Sequence, residues 1–309
     1  MRFFDDTNLV ISDDSASIVI KVLLRLIHDL VNSSYRNEVL LIKFGFCIIS
    51  EYFCFRIIKP MNTSSIDSIL NSFDKISLED MKSVKLMNRT DTKYVCSMPK
   101  FLALLSLIQD KYMVQEISGR MLMPYYTRYY DTESCEMYCH NLHGKKTRKK
   151  IRVRRYVSSG TEFLEIKRKN NKGRTDKKRV ETEGLLDSDR TNFVMNHSGY
   201  EMSGLMPKIE NEFSRLTFVN RRMTERVTID ICLNFHNLIS GNDKTLDNVA
   251  IIELKRDSRA SSDLQTVLKQ LRIKPSGFSK YCIGMAMTDC NLPQNRFKER
   301  IRMINKLNN

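Results

Sequence analysis

Basic side chains dominate one short segment of the chain, and their chemistry gives the first indication of a partner. Residues 145–179 hold 16 Lys and Arg against three Asp and Glu, a net charge of +13. The whole chain of 309 residues has a net charge of +15, from 51 Lys and Arg against 36 Asp and Glu. Arg offers phosphate oxygens a planar pair of donors, and Lys offers a compact point charge. The composition therefore predicts a polyanionic partner. Three classes of partner fit: nucleic acid, an anionic lipid surface and a phosphate chain.

The pattern within this segment is that of β-strands rather than of a disordered basic tail. Apolar and basic residues alternate with period two over residues 151–154, which is typical of a half-buried strand. A turn at Gly160 leads into a second strand at 163–167, and a further turn leads into an extended segment at 177–180. Lys and Arg on neighbouring strands repel one another. We therefore expect a polyanion, rather than solvent alone, on the charged face of these hairpins.

One carboxylate among the cations has the chemistry of a metal ligand. Glu253 shares a strand face with Lys255, opposite Ile252 and Leu254. Mg²⁺ and Mn²⁺ prefer oxygen ligands and often bridge one or two carboxylates to substrate phosphates. The alternative is that Glu253 only forms ion pairs with its basic neighbours. The sequence contains neither G-x-x-x-x-G-K-[ST] nor G-x-G-x-x-G, so we do not expect phosphate to bind in either of these glycine-rich loops.

The elements that must position these residues are strands with one charged and one apolar face. Together with the basic hairpins, the segments 92–95, 125–131, 210–219, 226–233 and 251–255 give seven or eight such strands. A barrel wide enough to hold a ligand can turn its charged face inward and pack its apolar face under helices.

Helices that could cover the apolar face are predicted at 77–87, 97–108, 261–272 and 294–306. Ser77 with Asp80 forms a cap signal for the first, and Ser97-Met98-Pro99 combines an N-cap residue with Pro in the first turn of the second. We therefore expect an α+β fold, built on a closed antiparallel β-barrel of about eight strands that forms a basic tunnel, with peripheral helices.

The first 60 residues do not share this pattern. Residues 1–60 carry no net charge and contain two apolar stretches, 18–31 and 39–58. The second is long enough to span a membrane, but Lys43, Glu51 and Arg56 interrupt it, which argues against a span. We predict that 61–309 is the functional domain and that 1–60 is an accessory extension or an incorrectly assigned start. The eight Cys are scattered and no secretory signal precedes them, so the predicted location is the cytoplasm.

Eight short motifs, taken in their order along the chain, resemble one known family. This order is similar to that of the VTC domain, the polyphosphate polymerase branch of the triphosphate tunnel metalloenzymes, over roughly residues 75–285. The absence of other fused domains resembles the short bacterial members. The family fold is a closed antiparallel barrel that forms a tunnel, which agrees with the strand pattern. The motifs are RTDTKYV at 89–95, YYDT at 129–132, RVRR at 152–155, FLEIK at 163–167, NEFSR at 211–215, ERVTID at 225–230, IELK at 252–255 and FSKY at 278–281.

The resemblance implies a role for each residue that matches a tunnel position. Glu253 matches the carboxylate that holds the divalent metal, Mn²⁺ or Mg²⁺. Lys255 and Ser279 are further phosphate-binding candidates, and either Lys177 or Lys178 is expected to supply a further tunnel lysine. Asp230 lies on the face of Arg226 and is predicted to orient it. The residues implied to bind nucleotide phosphates and the growing chain are Lys93, Arg152, Arg154, Lys167, Arg215, Arg226 and Lys280.

The activity implied is transfer of the γ-phosphoryl group of ATP to an inorganic polyphosphate chain, with release of ADP. The partners implied are ATP and polyphosphate, with a separate membrane protein as a further candidate that would place the protein at a membrane. The alternatives are a triphosphate or polyphosphate hydrolase or a nucleotidyl cyclase of the same superfamily, and a non-catalytic module that binds polyphosphate or inositol phosphates. The stretch 89–93 lacks the alternating glutamates of those hydrolases and cyclases, which favours the polymerase. Nucleic acid is disfavoured because no aromatic platform interleaves with the basic residues of the predicted strands.

Overall fold

A single sheet of eleven strands organises the computed structural model, which describes residues 63–82, 89–257 and 261–309. Its main path runs β2-β11-β9-β8-β4-β5-β6-β7, and every pairing along that path is antiparallel. β3 pairs with β8 and with β1, and β10 pairs with β9. The strands are β1 (Lys75–Ile76), β2 (Arg89–Ser97), β3 (Tyr112–Gln115), β4 (Met123–Asp131), β5 (Arg148–Tyr156), β6 (Glu162–Lys169), β7 (Thr175–Glu181), β8 (Met206–Asn220), β9 (Glu225–Asn237), β10 (Asp243–Leu246) and β11 (Val249–Asp257).

The prediction of a closed barrel is wrong, although the antiparallel α+β class is confirmed. Within the described ranges no ladder joins β2 to β7, so the main path has two edges. Closure requires a specific stagger and tilt between the first and last strands, and a local alternation of side chains does not encode either quantity. The edge strand β7 is exposed along most of its length and carries Asp176, Lys178 and Arg179, and charges of this kind protect an open edge from pairing with other chains.

Helices cover the apolar face of one half of the sheet, as the sequence predicted. Phe101 and Leu105 of one helix and Leu264 of another pack in one core cluster with Ile252 of β11 and Ile229 of β9. The helices are α1 (Thr63–Asn71), α2 (Leu78–Lys82), α3 (Met98–Ile108), α4 (Glu136–Leu142), α5 (Asp187–Ser198), α6 (Asp263–Gln270), α7 (Lys280–Thr288) and α8 (Lys298–Asn308).

Local signals place the starts of several helices. Ser97 is the N-cap residue of α3, and Pro99 lies in the first turn of this helix. The Ser77 hydroxyl accepts from the Asp80 backbone N–H at 3.1 Å and so caps α2. The predicted continuation of this helix to residue 87, and the predictions for residues 1–60, lie outside the described residues. No helix in the described ranges is long and apolar enough to cross a membrane.

Helix α7 packs on the opposite, charged face of the sheet and covers one end of it. At Cys232 of β9 the backbone φ is +53°, and the side chains before and after it pack on opposite faces of the sheet. Ile231 packs in the same core cluster as α3 and α6, whereas Leu233 and Phe235 pack with α7. Gly284 allows the close approach, because a Cβ at this position would lie 2.5 Å from Phe235 Cδ1. Packing of α7 here places its N-terminal residues over the centre of the sheet.

Candidate functional site

The strand registers bring the predicted cations and carboxylates to one face of the sheet, which we call the charged face. Lys93 of β2 is opposite Glu253 of β11, and Glu253 is in turn opposite Thr228 of β9. On the other half of the sheet, Lys167 of β6 is opposite Lys177 of β7. Because side chains alternate along each strand, these pairs determine which residues share the face. We call β2, β11, β9 and β8 the first wall, and β5, β6 and β7 the second wall.

A buried carboxylate on the first wall joins two cations from different elements. Asp230 is 4% exposed and accepts hydrogen bonds from Arg215 of β8, with Nε–Oδ1 at 2.6 Å and Nη2–Oδ2 at 2.8 Å. Lys280, at the start of α7, donates to the same Oδ2. Burial alone would raise the pKa of Asp230, but Arg215 and Lys280 outweigh it and hold the pKa well below its usual range. Asp230 therefore stays ionised and fixes Arg215 and Lys280, and its role towards Arg226 stays a prediction.

Glu253 lies between two lysines at the middle of the first wall. Its carboxylate is 3.8 Å from Lys93 Nζ and 3.4 Å from Lys255 Nζ. Burial would raise the pKa of Glu253, but Lys93 and Lys255 outweigh this and hold the pKa below its usual range. At neutral pH the carboxylate is therefore ionised.

The second wall has its own buried carboxylate, Glu165, which is fully buried. It accepts from Arg152 Nε at 2.7 Å and from Lys177 Nζ. Burial opposes ionisation, but Arg152, Arg154 and Lys177 outweigh it and lower the pKa of Glu165 to about 2. One carboxylate thus serves several cations on this wall, whereas the first wall has Asp230, Glu253 and, opposite Lys255, Asp91.

Arg154 and Lys167 have no carboxylate partner among the described residues. The Arg154 guanidinium is 7% exposed and donates to Thr127 Oγ1 at 3.3 Å. Burial and the neighbouring charge of Arg152 lower its pKa to about 10. The charge of Arg152, together with burial, holds the pKa of Lys167 well below its usual range. Arg152 repels both cations, and a bound anion would offset this repulsion.

Two stacked aromatic rings lie between the walls and contact cations from both. Tyr125 of β4 and Phe213 of β8 have centroids 5.2 Å apart and an interplanar angle of 7°. Arg154 of the second wall and Arg215 of the first lie 5.4 and 5.2 Å from the Tyr125 centroid, and Lys280 lies 4.0 Å from that of Phe213. These two rings come from β4 and β8, so they do not interleave with the basic residues of β5, β6 and β7 along the chain.

The N-terminus of α7 connects the walls. Ser279 caps the helix, since its hydroxyl accepts from the Cys282 backbone N–H at 3.2 Å, and it also accepts from Lys150 Nζ of the second wall at 2.9 Å. Lys93 of the first wall donates to the Phe278 carbonyl at 3.1 Å. These contacts join the first wall to the second wall through α7. Among the described residues, the edge strands β2 and β7 form no hydrogen bonds with each other.

The structure distinguishes the two candidate lysines of β7. Lys177 is opposite Lys167 and contacts Glu165, so it lies on the charged face. Lys178 is opposite Ile166, a core residue, and so lies on the other face. Arg226 is opposite Lys255 at the outer part of the first wall.

Sequence reasoning did not select three residues that the structure adds to the site. Lys150 was missed although it is in phase with Arg152 and Arg154 on β5, and this alternation was the available signal. Glu165 lies in the FLEIK motif at 163–167, but nothing in the neighbouring sequence indicates that it contacts Arg152 of β5 and Lys177 of β7. Thr228 has a buried hydroxyl with no hydrogen-bond partner among the described residues.

The residues around Glu253 fit a divalent metal that arrives with a phosphate substrate. In the part of the chain that the structure describes, no group of three or more His, Cys, Asp or Glu is arranged to hold a metal ion. However, Mg²⁺ is commonly held by one or two carboxylates, with substrate phosphates and water completing its coordination. Glu253 is 21% exposed, and the unpartnered Thr228 hydroxyl is on the neighbouring strand position. An ionised, accessible carboxylate next to a free hydroxyl suits such a site.

The fold and the site together define an antiparallel sheet with one strongly basic face, formed by two walls and covered at one end by α7. The VTC domain family model matches residues 88–289, and the chain therefore belongs to the VTC domain family. The resemblance carried by the motifs is confirmed. No match was found among curated proteins.

Several solved structures are similar to part of the chain. A proposed adenylate cyclase from Vibrio parahaemolyticus is 14% identical with a TM-score of 0.38, covering 64% of this chain and 97% of that chain. A proposed adenylate cyclase from Bacillus halodurans is 13% identical with a TM-score of 0.41, covering 62% and 96%. A proposed adenylyl cyclase from Hippeastrum with a dominant triphosphatase activity is 15% identical with a TM-score of 0.40, covering 67% and 98%. These low identities and TM-scores assign no activity to this chain.

Proposed function

We propose that this protein is a polyphosphate polymerase, which transfers the γ-phosphoryl group of ATP to the end of a phosphate chain on the charged face. The observation that carries the proposal is the arrangement of cations from both walls around one accessible carboxylate, Glu253. Lys93 and Lys255 flank this carboxylate, and Arg154 and Lys167 face the same space without an acidic partner. An excess of cations around one metal-competent carboxylate is what a nucleotide triphosphate and a second phosphate chain require together.

Phosphoryl transfer depends mainly on positioning and on neutralisation of charge, and the side chains of the charged face supply both. Asp230 holds Arg215 and Lys280 in fixed positions, so these cations need little reorganisation when phosphate binds. Arg154 and Lys167 lack a carboxylate partner among the described residues, so a bound phosphate would give each a close partner of opposite charge. A divalent metal held by Glu253 would offset charge on the β- and γ-phosphate oxygens. The γ-phosphoryl group leaves the terminal oxygen of ADP and bonds to the terminal oxygen of the chain.

Hydrolysis of triphosphate or polyphosphate is a second candidate activity, because the sheet is open between β2 and β7. Water that enters through this opening would replace the phosphate chain as the acceptor. The same residues would then bind the donor and hold the metal, and only the identity of the acceptor would change.

The test is incubation of the full chain with ATP and either Mn²⁺ or Mg²⁺, followed by separate measurement of ADP, orthophosphate and polymeric phosphate. Equal amounts of ADP and chain-incorporated phosphate support the polymerase. Orthophosphate without polymer supports the hydrolase and contradicts the polymerase. Tight polyphosphate binding without formation of ADP or orthophosphate supports the binding module.

ATP and inorganic polyphosphate are the partners that this proposal requires, with Mn²⁺ or Mg²⁺ as the metal. Location in the cytoplasm and delivery of the chain to a separate membrane protein follow as further proposals. Fractionation of cells that express the full chain tests both, because a soluble protein without such a partner stays entirely in the supernatant.

A further inference from the structure

A second basic region lies beyond the residues assigned to phosphoryl transfer. A cavity of about 650 Å³ opens where β5 begins, β6 ends and β7 begins. We call it the hairpin cleft and define it by four lining cations, Arg148, Lys149, Lys169 and Arg174. None of these four residues belongs to the group proposed above to bind the nucleotide or the metal.

The acidic residues of the hairpin cleft are already engaged. Glu136 accepts a hydrogen bond from the Tyr200 hydroxyl at 2.9 Å and lies 3.3 Å from His140 Nε2. Asp176 pairs with Arg168 at 3.1 Å. Neither carboxylate forms an ion pair with any of the four cations that define the cleft.

The four cations that define the cleft have no acidic partner among the described residues. Lys149 lies over the Tyr200 ring, with Nζ 4.8 Å from its centroid, while Arg148 and Lys169 are half-buried at the ends of their strands. Arg174 is exposed in the turn between β6 and β7. Four unpaired cations around one cavity repel one another, and an anion with several charges would relieve that repulsion.

The hairpin cleft meets the charged face at the start of β5 and the end of β6, where Arg148 and Lys169 line the cleft and share the charged face. Arg154, Arg152, Lys150 and Arg148 occupy alternate positions of this strand, so they share one face and extend over about 20 Å. Opposite them on β6, Lys167 pairs with Lys150, and Lys169 pairs with Arg148. On β5 this gives a row of cations from the centre of the charged face to Arg148 at the cleft, and on β6 Lys167 and Lys169 extend the row beyond Glu165. Lys149 alternates to the other face of the sheet at the end of the row.

We propose that the hairpin cleft is a second binding site for condensed phosphate, which holds the part of a long chain that extends beyond the charged face. The proposal rests on the proposed function in that the same phosphate chain occupies both sites. A short ligand such as tripolyphosphate is shorter than the row along β5 and contacts the charged face only. A chain of several tens of units contacts both sites and gains affinity through the cleft.

The test compares two double variants that each remove two positive charges. Lys169→Gln with Arg174→Gln removes cations of the hairpin cleft. Lys111→Gln with Lys269→Gln is the matched control, because both lysines are exposed and lie away from the cleft, Lys111 in the turn before β3 and Lys269 in the last turn of α6. The affinities of wild type and both variants for tripolyphosphate and for long-chain polyphosphate are measured by calorimetry at several salt concentrations.

We expect the cleft variant to bind long-chain polyphosphate at least about fivefold more weakly, with a shallower salt dependence, because two phosphate contacts are lost. Its affinity for tripolyphosphate and both affinities of the control variant should match wild type. An unchanged affinity of the cleft variant for the long chain overturns the proposal. So does an equal loss for both ligands, since the charges would then act on the charged face itself.

A separate variant protects the test from effects on folding. Arg174→Glu changes only an exposed turn residue and should weaken long-chain binding more than removal of its charge does. A wild-type affinity in this variant contradicts the cleft site. These binding results do not depend on turnover, so a wild type that binds both ligands but forms no polymer would refute the polymerase and leave the cleft proposal standing.

Discussion

The two walls of the charged face solve the same electrostatic problem in different ways. On the first wall, Asp230 and Glu253 each lie between two cations, so each of these four cations has an acidic partner within the protein. On the second wall, Glu165 pairs with Arg152 and Lys177, but Arg154 and Lys167 remain without an acidic partner. The carboxylates of the first wall therefore hold its cations in place before any ligand binds. On the second wall, Arg154 and Lys167 are repelled by neighbouring cations, and a bound anion would reduce that repulsion.

The largest effect expected from this difference is on stability. Asp230→Ala leaves Arg215 and Lys280 buried without their carboxylate, and removal of one partner from a buried pair costs about 3–5 kcal/mol. We expect the free energy of unfolding in urea to fall by about that amount, while Lys178→Ala, outside the charged face, leaves it nearly unchanged. An effect of Asp230→Ala as small as that of the control would show that the first wall is not held by this carboxylate.

The next effect separates catalysis from binding. Glu253→Gln keeps the shape of the side chain but removes the charge that would hold the metal. We expect turnover to fall by about 10²–10³-fold, as for the loss of one preorganised electrostatic contact, while affinity for tripolyphosphate in the absence of metal is kept or increases. Equal losses of turnover and of metal-free binding would contradict the metal role of Glu253.

A smaller effect tests the second wall. Arg154→Met removes a buried cation that has no carboxylate partner and leaves an unbranched apolar side chain in its place. We expect affinity for tripolyphosphate to fall about tenfold because one charge-assisted phosphate contact is lost. The free energy of unfolding should be unchanged or higher, since a repulsive charge has gone. A clear loss of stability would show that the two walls do not differ in the way described.

The smallest effect is a coupling of binding to protons. Burial lowers the pKa of Lys280 to about 7, with Arg215 acting in the same direction against Asp230. At pH 8 much of this amine is neutral in the free protein, and a bound phosphate raises its pKa again, so binding takes up protons and weakens as pH rises above 7.

Calorimetry at pH 8 in two buffers with different ionisation enthalpies measures this uptake. The observed heat of polyphosphate binding should depend on the buffer in wild type, and less so in Lys280→Arg, whose guanidinium stays charged. A buffer-independent heat in wild type would contradict proton uptake by the lysines of the charged face.

Much of the fold was predictable because alternation along a strand is a local property. The period-two patterns of residues 151–154 and 226–231 indicated which side chains share a face, and Lys93, Arg154, Lys167 and Glu253 lie together on that face in the structure. The alternation does not continue to Leu233, because the backbone at Cys232 turns this side chain towards α7. The choice between Lys177 and Lys178 was not predictable, because both fit an extended segment until its register with β6 is known. The contacts of Asp230 with Arg215 and Lys280 were missed for the same reason, since they join residues 15 and 50 positions away.

The sequence by itself determined the strands, their charged and apolar faces, the basic character of the site and the family. These follow from the chemistry and spacing of neighbouring residues, which act at short range along the chain. Only the tertiary structure decided that the sheet stays open, that α7 covers one end, and that the two walls differ in how their charges are paired. Each of these depends on register and on distances between remote segments, where burial and Coulomb interactions act across space.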